Sequence, residues 1–541
     1  MDIFCLGGCG RIYGHVRSQK KKDELFDHFG SHAAGITVYS SLVQDRAIRY
    51  FIVLLSDCLL GPVWSEEGEK MSFTSLCYFP VLGAVAWFNH FLSPRYRHWF
   101  LLAVSWYIYA LFGIQHFLLL LFVTGISYFS GRWIAEHEKR RRFVLAGGII
   151  IIVSVLFFMK YLDMFLSWMG TAAGIFGHEL TFPERYIVLP AGISFYTFQS
   201  LSYLIDVYRG EGYERNFVRY ALYLSFFPQL VAGPIEQAEN LIPQLRWSEA
   251  SKEDVLAGIS CILSGCVRKF VIADYMAVFV DEVYGNVMGQ SGVNLLFATV
   301  LFAIQIYGDF SGYTHIAAGS ARLLGIQLTE NFDRPYLAVG CRDFWKRWHI
   351  TLTRWFTKYV YIPLGGSRRG EIKKYINIMI VFLLSGLWHG ADLTFLCWGA
   401  FFGIWRITEE IVMKKTAGRT LQKKKICPGT FLKRAGTFAM VCLSWVFFRS
   451  QSVSEAAEVL RRIFTLKETA PFVLSETEIW GAAVRIGILA LLPGILQTGE
   501  KGGEEPGRFC YIVTIMTFLI TVCIIFLYNT GSESSFIYFR F

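Results

Sequence analysis

The stretch "LLSGLWHGA", residues 383–391, places a single histidine in sequence suited to the interior of a membrane. It belongs to the apolar run "YINIMIVFLLSGLWHGADLTFLCWGAFFGIW", residues 375–405. An ionisable residue at membrane depth costs free energy and is a functional candidate by default. Because imidazole titrates near neutral pH, we interpret His389 as a general base that takes a proton from a hydroxyl. A histidine that only packs against a neighbouring helix is the alternative.

The composition around this stretch indicates a membrane protein. Of the 541 residues, 54% are hydrophobic and only 17% are charged, which leaves too little polar surface for a soluble protein. The class predicted is an all-α polytopic membrane protein. Apolar segments are centred near residues 82, 105, 121, 151, 195, 225, 263, 300, 380, 400, 440, 488 and 518. We therefore expect about 10 to 13 transmembrane and re-entrant helices.

The basic residues predict orientation in the membrane. The net charge is +10, but the lysines and arginines lie in short loops and do not cluster on a soluble domain, so we expect no nucleic-acid partner. Three such loops cover residues 93–98, 131–143 and 413–434. By the positive-inside rule all three face the cytoplasm. The twelve cysteines form no CxxC pair, and no metal site is expected.

Residues 1–70 differ from the rest of the chain. They contain mixed charges and one short apolar run, interrupted by Asp57, that is too short for a clear span. The junction "WSEEGEKM" reverse-translates to a purine-rich stretch resembling a ribosome-binding site before Met71. We therefore expect a membrane domain over 71–541, preceded either by a mistaken start or by a genuine N-terminal extension.

Polar residues crowd into membrane-like sequence between 305 and 390. Asp309 and Arg322 are expected either to pair with each other or to serve the site. Apolar residues at helical intervals predict one amphipathic helix over 343–359, at the cytoplasmic boundary. Besides His389, a second candidate is His349, which carries a purely structural alternative. The predicted substrate-binding or tunnel-lining residues are Asp309, Trp345, Arg347, Trp348, Arg354 and Trp388.

Several motifs in order resemble those of the membrane-bound O-acyltransferase (MBOAT) family, in its AlgI-like polysaccharide O-acetyltransferase branch. They cover nearly all of the chain after residue 70. The matching stretches are "PAGISFYTFQSLSYLIDVYRG" (190–210), "FFPQLVAGPI" (226–235), "VRKFVIADYMAVFVDEVY" (267–284), "YGDFSGYTHIAAG" (307–319), "ENFDRPY" (330–336), "DFWKRWHITLTRWFTKYVYIPLGGSRRG" (343–370), "LSGLWHGADLTFLCWGAFFG" (384–403) and "FIYFRF" (536–541).

The resemblance implies a fold, a reaction and partners. His389 corresponds to the family's catalytic histidine, and His349 to a second histidine often needed for activity. The expected fold is a ring of helices around a central tunnel in a bacterial cytoplasmic membrane. The donor would be a cytoplasmic acyl thioester such as acetyl-CoA, with no permanently bound cofactor. The acceptor would be a cell-envelope or exported polysaccharide, with an extracytoplasmic SGNH-type acetyltransferase as partner. One departure is His315, where relatives usually have an acid.

Two other functions stay open on sequence alone. One is the transfer of D-alanine from a carrier protein to teichoic acid, as in DltB, although "YIPLGGSRRG" favours the acetylation branch. The other is a non-enzymatic transporter, which polar residues at depth would also permit. The chain lacks an apparent two-fold internal repeat, which transporters commonly show. For the second histidine, nearby Arg347 and Arg354 favour a neutral ring that supplies a hydrogen bond to the donor or tunnel wall.

Overall fold

A computed structural model describes residues 78–496, apart from 179, 181, 183–187, 248, 417–427 and 467–470. Within this part every regular element is helical, which confirms the predicted all-α class. The proposed boundary at residues 70–71, the span near 518 and the C-terminal "FIYFRF" motif lie outside the described residues.

The α-helices follow one another through short connections. They are α1 Tyr78–Phe91, α2 Pro94–Ala110, α3 Ile114–Glu136, α4 Arg141–Leu156, α5 Leu162–Ile175, α6 Ile193–Arg209, α7 Phe217–Ser225, α8 Phe227–Leu230, α9 Ala238–Trp247, α10 Lys252–Cys266, α11 Asp274–Gly285, α12 Gly292–Leu323, α13 Cys341–Arg347, α14 Ile350–Phe356, α15 Glu371–His389, α16 Leu393–Thr416, α17 Pro428–Arg449, α18 Val453–Thr465 and α19 Glu476–Leu496. Wider π-helical turns at Phe157–Tyr161, Val267–Ala273 and Thr357–Tyr361 continue α4, α10 and α14.

Five helical segments in the described residues are long and apolar enough to cross a membrane. They are Ile114–Glu136, Glu138–Ile175, Lys252–Gly285, Gly292–Leu323 and Gly429–Arg449. Helix α12 is the most buried of them and packs closely along α10. Gly312 of α12 permits that approach, because a Cβ there would lie 2.9 Å from the carbonyl oxygen of Gly265. Small residues at such crossings let membrane helices pack backbone to backbone.

The predicted amphipathic helix over 343–359 is wrong as a single helix. The chain forms α13, breaks at Trp348 and His349, and resumes as α14. The break is stabilised by the preceding loop: the Asp333 amide donates to the carbonyl of Arg347 at 2.9 Å. The Ile350 amide likewise donates to the carbonyl of Asn331 at 3.0 Å. Backbone groups that a continuous helix would pair internally are thus satisfied by a distant segment, which periodicity cannot indicate.

Contacts between distant residues join the first two basic loops, and Lys414 at the start of the third, to one side of the protein. Charged side chains in these parts of the chain, or at helix ends beside them, pair with residues of other connecting segments. The contacts are Arg97 with Glu249 at 3.9 Å, Arg246 with Glu214 at 2.9 Å, Tyr213 with Glu136 at 3.3 Å, Arg209 with the Lys358 carbonyl at 3.4 Å and Lys414 with Glu371 at 2.5 Å. We refer to this side, defined by these residues, as the basic face.

Candidate active site

His389 is the last residue of α15 and is buried in an aromatic enclosure. Its imidazole makes edge-to-face contacts with Trp388, Trp398 and Phe448, at centroid distances of 4.9, 5.1 and 5.2 Å. The side chain is only 4% exposed. Such an enclosure excludes water and fixes the plane of the ring, which suits a group that must meet a reactant in one orientation.

Two glycines bring α15 and α16 close enough to build that enclosure. A Cβ on Gly386 would lie 2.3 Å from the carbonyl oxygen of Phe395, and a Cβ on Gly399 would lie 2.4 Å from that of Phe382. No side chain fits at either distance. The close approach places Trp398 of α16 against His389 at the end of α15.

His349 lies at the break between α13 and α14, with a positive φ of 44°, and is fully buried. Its Nδ1 lies 3.1 Å from Oδ1 of Asn331. That oxygen also accepts hydrogen bonds from the amide and hydroxyl of Thr351, at 3.2 and 2.8 Å. Since an oxygen cannot donate here, Nδ1 of His349 must be the donor. The neutral ring therefore carries its lone pair on Nε2, which makes no hydrogen bond to the described residues.

The two candidate histidines meet around one indole. The ring of Trp388 lies 5.8 Å from that of His349 and 4.9 Å from that of His389, measured between centroids. Phe195 and Phe198 of α6 pack against the same indole at 5.4 and 5.5 Å. The structure thus brings together three residues predicted from sequence, which are 40 positions apart at most.

A cavity of about 550 Å³ runs along one face of α15. The α15 residues that line it are Lys374, Ile378, Val381, Phe382 and Ser385. They recur at each turn of one side of the helix, and His389 lies one helical turn beyond the last of them. With a rise of 1.5 Å per residue, the lining from Lys374 to Ser385 spans ~16 Å. The cavity lining therefore runs along α15 from near Glu371 of the basic face to Ser385, one helical turn before His389.

The mouth of this cavity is basic. Arg342, Lys346, Lys374 and Arg406 line it, together with one acid, Glu410. Glu410 forms ion pairs with both Lys374 and Arg406. The remaining cations, Arg342 and Lys346, have exposed side chains. A concave surface with an excess of positive charge attracts phosphate groups.

Of the other four residues predicted to bind substrate or line a tunnel between 345 and 354, only one lines the cavity. Trp345 lines the cavity. Trp348 is buried in the core, with its ring 5.1 Å from that of Trp445. Arg347 forms ion pairs with Asp333 at 3.2 Å and Asp343 at 3.0 Å, and it does not line the cavity. Arg354 is exposed and also lies outside the cavity lining.

Asp309 belongs to a buried charge network between α12 and the second π-helical turn. Its carboxylate lies 2.7 Å from the ammonium of Lys269, which also pairs with Asp274 at 2.8 Å. The predicted pairing of Asp309 with Arg322 is wrong, because Arg322 pairs with Asp254 at 3.4 Å. Those partners come from other helices, so sequence spacing could not reveal them.

His315 forms a hydrogen bond within its own helix. The Nδ1 atom of His315 lies 2.7 Å from the carbonyl oxygen of Ser311, one turn earlier on α12. The ring therefore has a local backbone partner.

Among the described residues, no group of three or more histidine, cysteine or acidic side chains could hold a metal ion.

Sequence reasoning missed three residues that shape the site. Asn331 fixes the tautomer of His349, while Lys160 and Tyr161 contact the end of α15. The signal for Lys160 was present, since it is a charged residue within the apolar run "VLFFMKYLDMF". Asn331 gave no such signal, because an asparagine in a polar loop is ordinary.

Comparison with known proteins places the chain in a class of membrane enzymes that transfer acyl groups to oxygen. The sequence pattern of MBOAT, the membrane-bound O-acyltransferase family, matches residues 102–450, well over half of the chain. The protein therefore belongs to the membrane-bound O-acyltransferase family, which confirms the resemblance and the predicted enzyme class and removes the transporter alternative.

Several known proteins are similar to this chain over much of their length. The chain is 33% identical to the probable alginate O-acetylase AlgI of Pseudomonas aeruginosa, over 74% of this chain and 76% of that protein. It is 32% identical to the peptidoglycan O-acetyltransferase of Helicobacter pylori, over 68% and 74%. Similarity to the teichoic acid D-alanyltransferase of Bacillus subtilis is lower, at 26% over 59% and 81%. The protein is thus an O-acyltransferase similar to AlgI and to peptidoglycan O-acetyltransferase.

Proposed function

We propose that this protein moves an acetyl group from acetyl-CoA in the cytoplasm across the membrane, toward hydroxyl groups of a cell-envelope or exported polysaccharide. One observation carries the proposal: His389 continues the stripe of α15 residues that lines a cavity opening on the basic face. A donor that enters at this face has a continuous route to within one helical turn of the imidazole.

The donor side of the proposal rests on charge. Two basic loops, and Lys414 at the start of the third, belong to the face where the cavity opens, so by the positive-inside rule we assign that face to the cytoplasm of a bacterial cell. Arg342 and Lys346 at the mouth would bind the phosphates of coenzyme A, since phosphate and cationic side chains form strong charge-assisted hydrogen bonds. The apolar lining deeper in the cavity would hold the pantetheine arm. No permanent cofactor is required, because acetyl-CoA is consumed as a substrate.

The acyl transfer needs one base and accurate positioning. His389 takes the proton of the acceptor hydroxyl while its oxygen attacks the thioester carbonyl. A C–O bond forms, the C–S bond breaks, and the departing thiolate receives the proton. His349 offers the lone pair of Nε2 and therefore accepts a hydrogen bond from a reactant. The alternative is a covalent acyl-His389 intermediate, which would need two transfer steps where direct attack needs one. Holding both reactants at the constriction supplies much of the remaining rate through proximity.

The acceptor class follows from the relatives named above. One acts in alginate acetylation and another on peptidoglycan, and both are about as similar to this chain. A polysaccharide acceptor is common to the two. Because α15 rises ~27 Å from Glu371 to His389, the reaction site lies far from the basic face. The acetyl group would therefore leave on the opposite side, where we expect an SGNH-type acetyltransferase to receive it.

D-alanyl transfer from a carrier protein to teichoic acid is the second candidate, supported by the match to the Bacillus subtilis enzyme. A carrier protein would dock on the basic face through an acidic surface and insert its thioester arm. The two functions are distinguished by the group found on the envelope polymer.

The proposal is tested in a deletion strain complemented with wild type, His389→Ala or His137→Ala. His137 is an exposed histidine near the basic face and serves as the matched control. Mass spectrometry of the envelope polysaccharides should find acetyl esters with wild type and the control, and almost none with His389→Ala. D-alanyl esters in place of acetyl esters would establish the second candidate. Unchanged acetylation with His389→Ala would refute the assigned role of that histidine.

A further inference from the structure

The C-terminal end of α15 needs hydrogen-bond donors from elsewhere in the protein. The last four carbonyl groups of any α-helix have no partner within the helix, and inside a membrane water cannot supply one. At this end the chain leaves the helix in an extended conformation at Gly390, with φ of −160°. The carbonyls of Leu387, Trp388 and His389 therefore depend on side chains.

Two consecutive residues of a distant helix supply these donors. The ammonium of Lys160 donates to the carbonyl oxygens of Trp388 and His389, at 2.7 and 2.9 Å. The hydroxyl of Tyr161 donates to the carbonyl oxygen of Leu387 at 2.8 Å. Both donors lie in the π-helical turn that links α4 to α5, more than 220 positions earlier in the chain. Such turns within helices occur frequently at functional sites.

We infer that Lys160 and Tyr161 are positioning residues for His389. Two of the three hydrogen bonds end on the backbone of Trp388 and His389, so they fix the point from which the imidazole projects. A cation at this place also complements the negative end of the helix dipole. A charged residue at membrane depth is costly, which favours a role beyond packing. The inference rests on the proposed role of His389 and adds to it the device that holds that histidine in place.

The physical consequence of losing these donors is local. Three carbonyls would lack partners, and the last turn of α15 would rearrange to find others. The cavity-lining residues at Lys374 to Ser385 lie one to four turns earlier and would keep their positions. Donor binding should therefore survive while the transfer step suffers. A misplacement of about 1 Å at a reacting group costs on the order of a hundredfold in rate.

The test compares Lys160→Met, Lys160→Arg and Tyr161→Phe with wild type, and uses Lys139→Met, at an exposed lysine in the loop before α4, as the control. Inside-out membrane vesicles are supplied with acetyl-CoA, and the release of its thiol gives kcat and KM. We expect kcat to fall about a hundredfold in Lys160→Met and about tenfold in Tyr161→Phe, with KM for acetyl-CoA within twofold of wild type. Lys160→Arg should recover part of the loss, and the control should match wild type.

The shape of the pH profile separates positioning from proton transfer. Tyr161→Phe changes no charge, so if this residue only positions His389, kcat falls by the same factor at every pH. A pH profile of Tyr161→Phe that changes shape, or a loss seen in KM alone, would overturn the inference. Tyr161→Phe removes a single oxygen and tests the idea even if Lys160→Met does not fold. Wild-type kcat in both variants, together with an inactive His389→Ala, would refute the positioning role while leaving the proposed function standing.

Discussion

Replacing each histidine by glutamine separates the role of a base from that of a hydrogen-bond partner. Glutamine has a similar volume and can donate or accept a hydrogen bond, but it cannot take up a proton near neutral pH. At position 349 its amide could still donate to Oδ1 of Asn331, as Nδ1 of the histidine does. At position 389 the aromatic enclosure of Trp388, Trp398 and Phe448 would hold a side chain without basicity.

The expected magnitudes differ because the lost interactions differ. General-base catalysis contributes on the order of a hundredfold to ten-thousandfold, so His389→Gln should lose at least that factor in kcat. His349→Gln removes one neutral hydrogen bond at Nε2, worth about 0.5–1.5 kcal/mol, and should lose up to about tenfold. The expectation that His349 is neutral gains a physical reason from the structure. Its ring is fully buried, and burial away from water disfavours the charged form of an imidazole.

The assay is thiol release from acetyl-CoA in inside-out vesicles, with the amount of folded protein fixed by gel filtration of each variant in detergent. Residual activity in His349→Gln and almost none in His389→Gln would support the assignment. Equal and complete loss in two correctly folded variants would refute the ranking. The two histidines would then act as one catalytic unit around Trp388, and the lone pair on Nε2 of His349 would become the base to consider.

Three further experiments test the cavity, the helix packing and the orientation. Lys346→Gln should raise KM for acetyl-CoA about two- to tenfold, more at low salt than at high salt, whereas Lys373→Gln, an exposed lysine outside the cavity lining, should not. Gly386→Ala should lower stability by about 1–3 kcal/mol in thermal unfolding and reduce kcat, because its Cβ would overlap the Phe395 carbonyl; Gly436→Ala, with open space around its Cβ, should do neither. A cysteine replacing the exposed Arg354 should react with a membrane-impermeant thiol reagent from the cytoplasmic side only, and labelling of intact cells from outside would reverse the orientation.

The amino-acid sequence by itself determined the class of protein and indicated the two candidate histidines. Long apolar segments require the interior of a membrane around them. An imidazole within such a segment is a functional candidate, because placing an ionisable group there costs free energy. The motifs around His349 and His389 were sufficient for the family. These signals are local, because each depends on a few neighbouring residues along the chain.

Only the tertiary structure decided how these residues are arranged and held. The helix predicted over 343–359 breaks at His349. The break is held by backbone hydrogen bonds from another segment, since Asn331 pairs with Ile350 and Asp333 pairs with Arg347. Asp309 meets Lys269 and not Arg322. Lys160 reaches the carbonyl of His389 across 229 positions. Periodicity records which side of a helix is apolar but not which segment will lie against it, and buried polar groups take their partners from whichever segment the fold brings near.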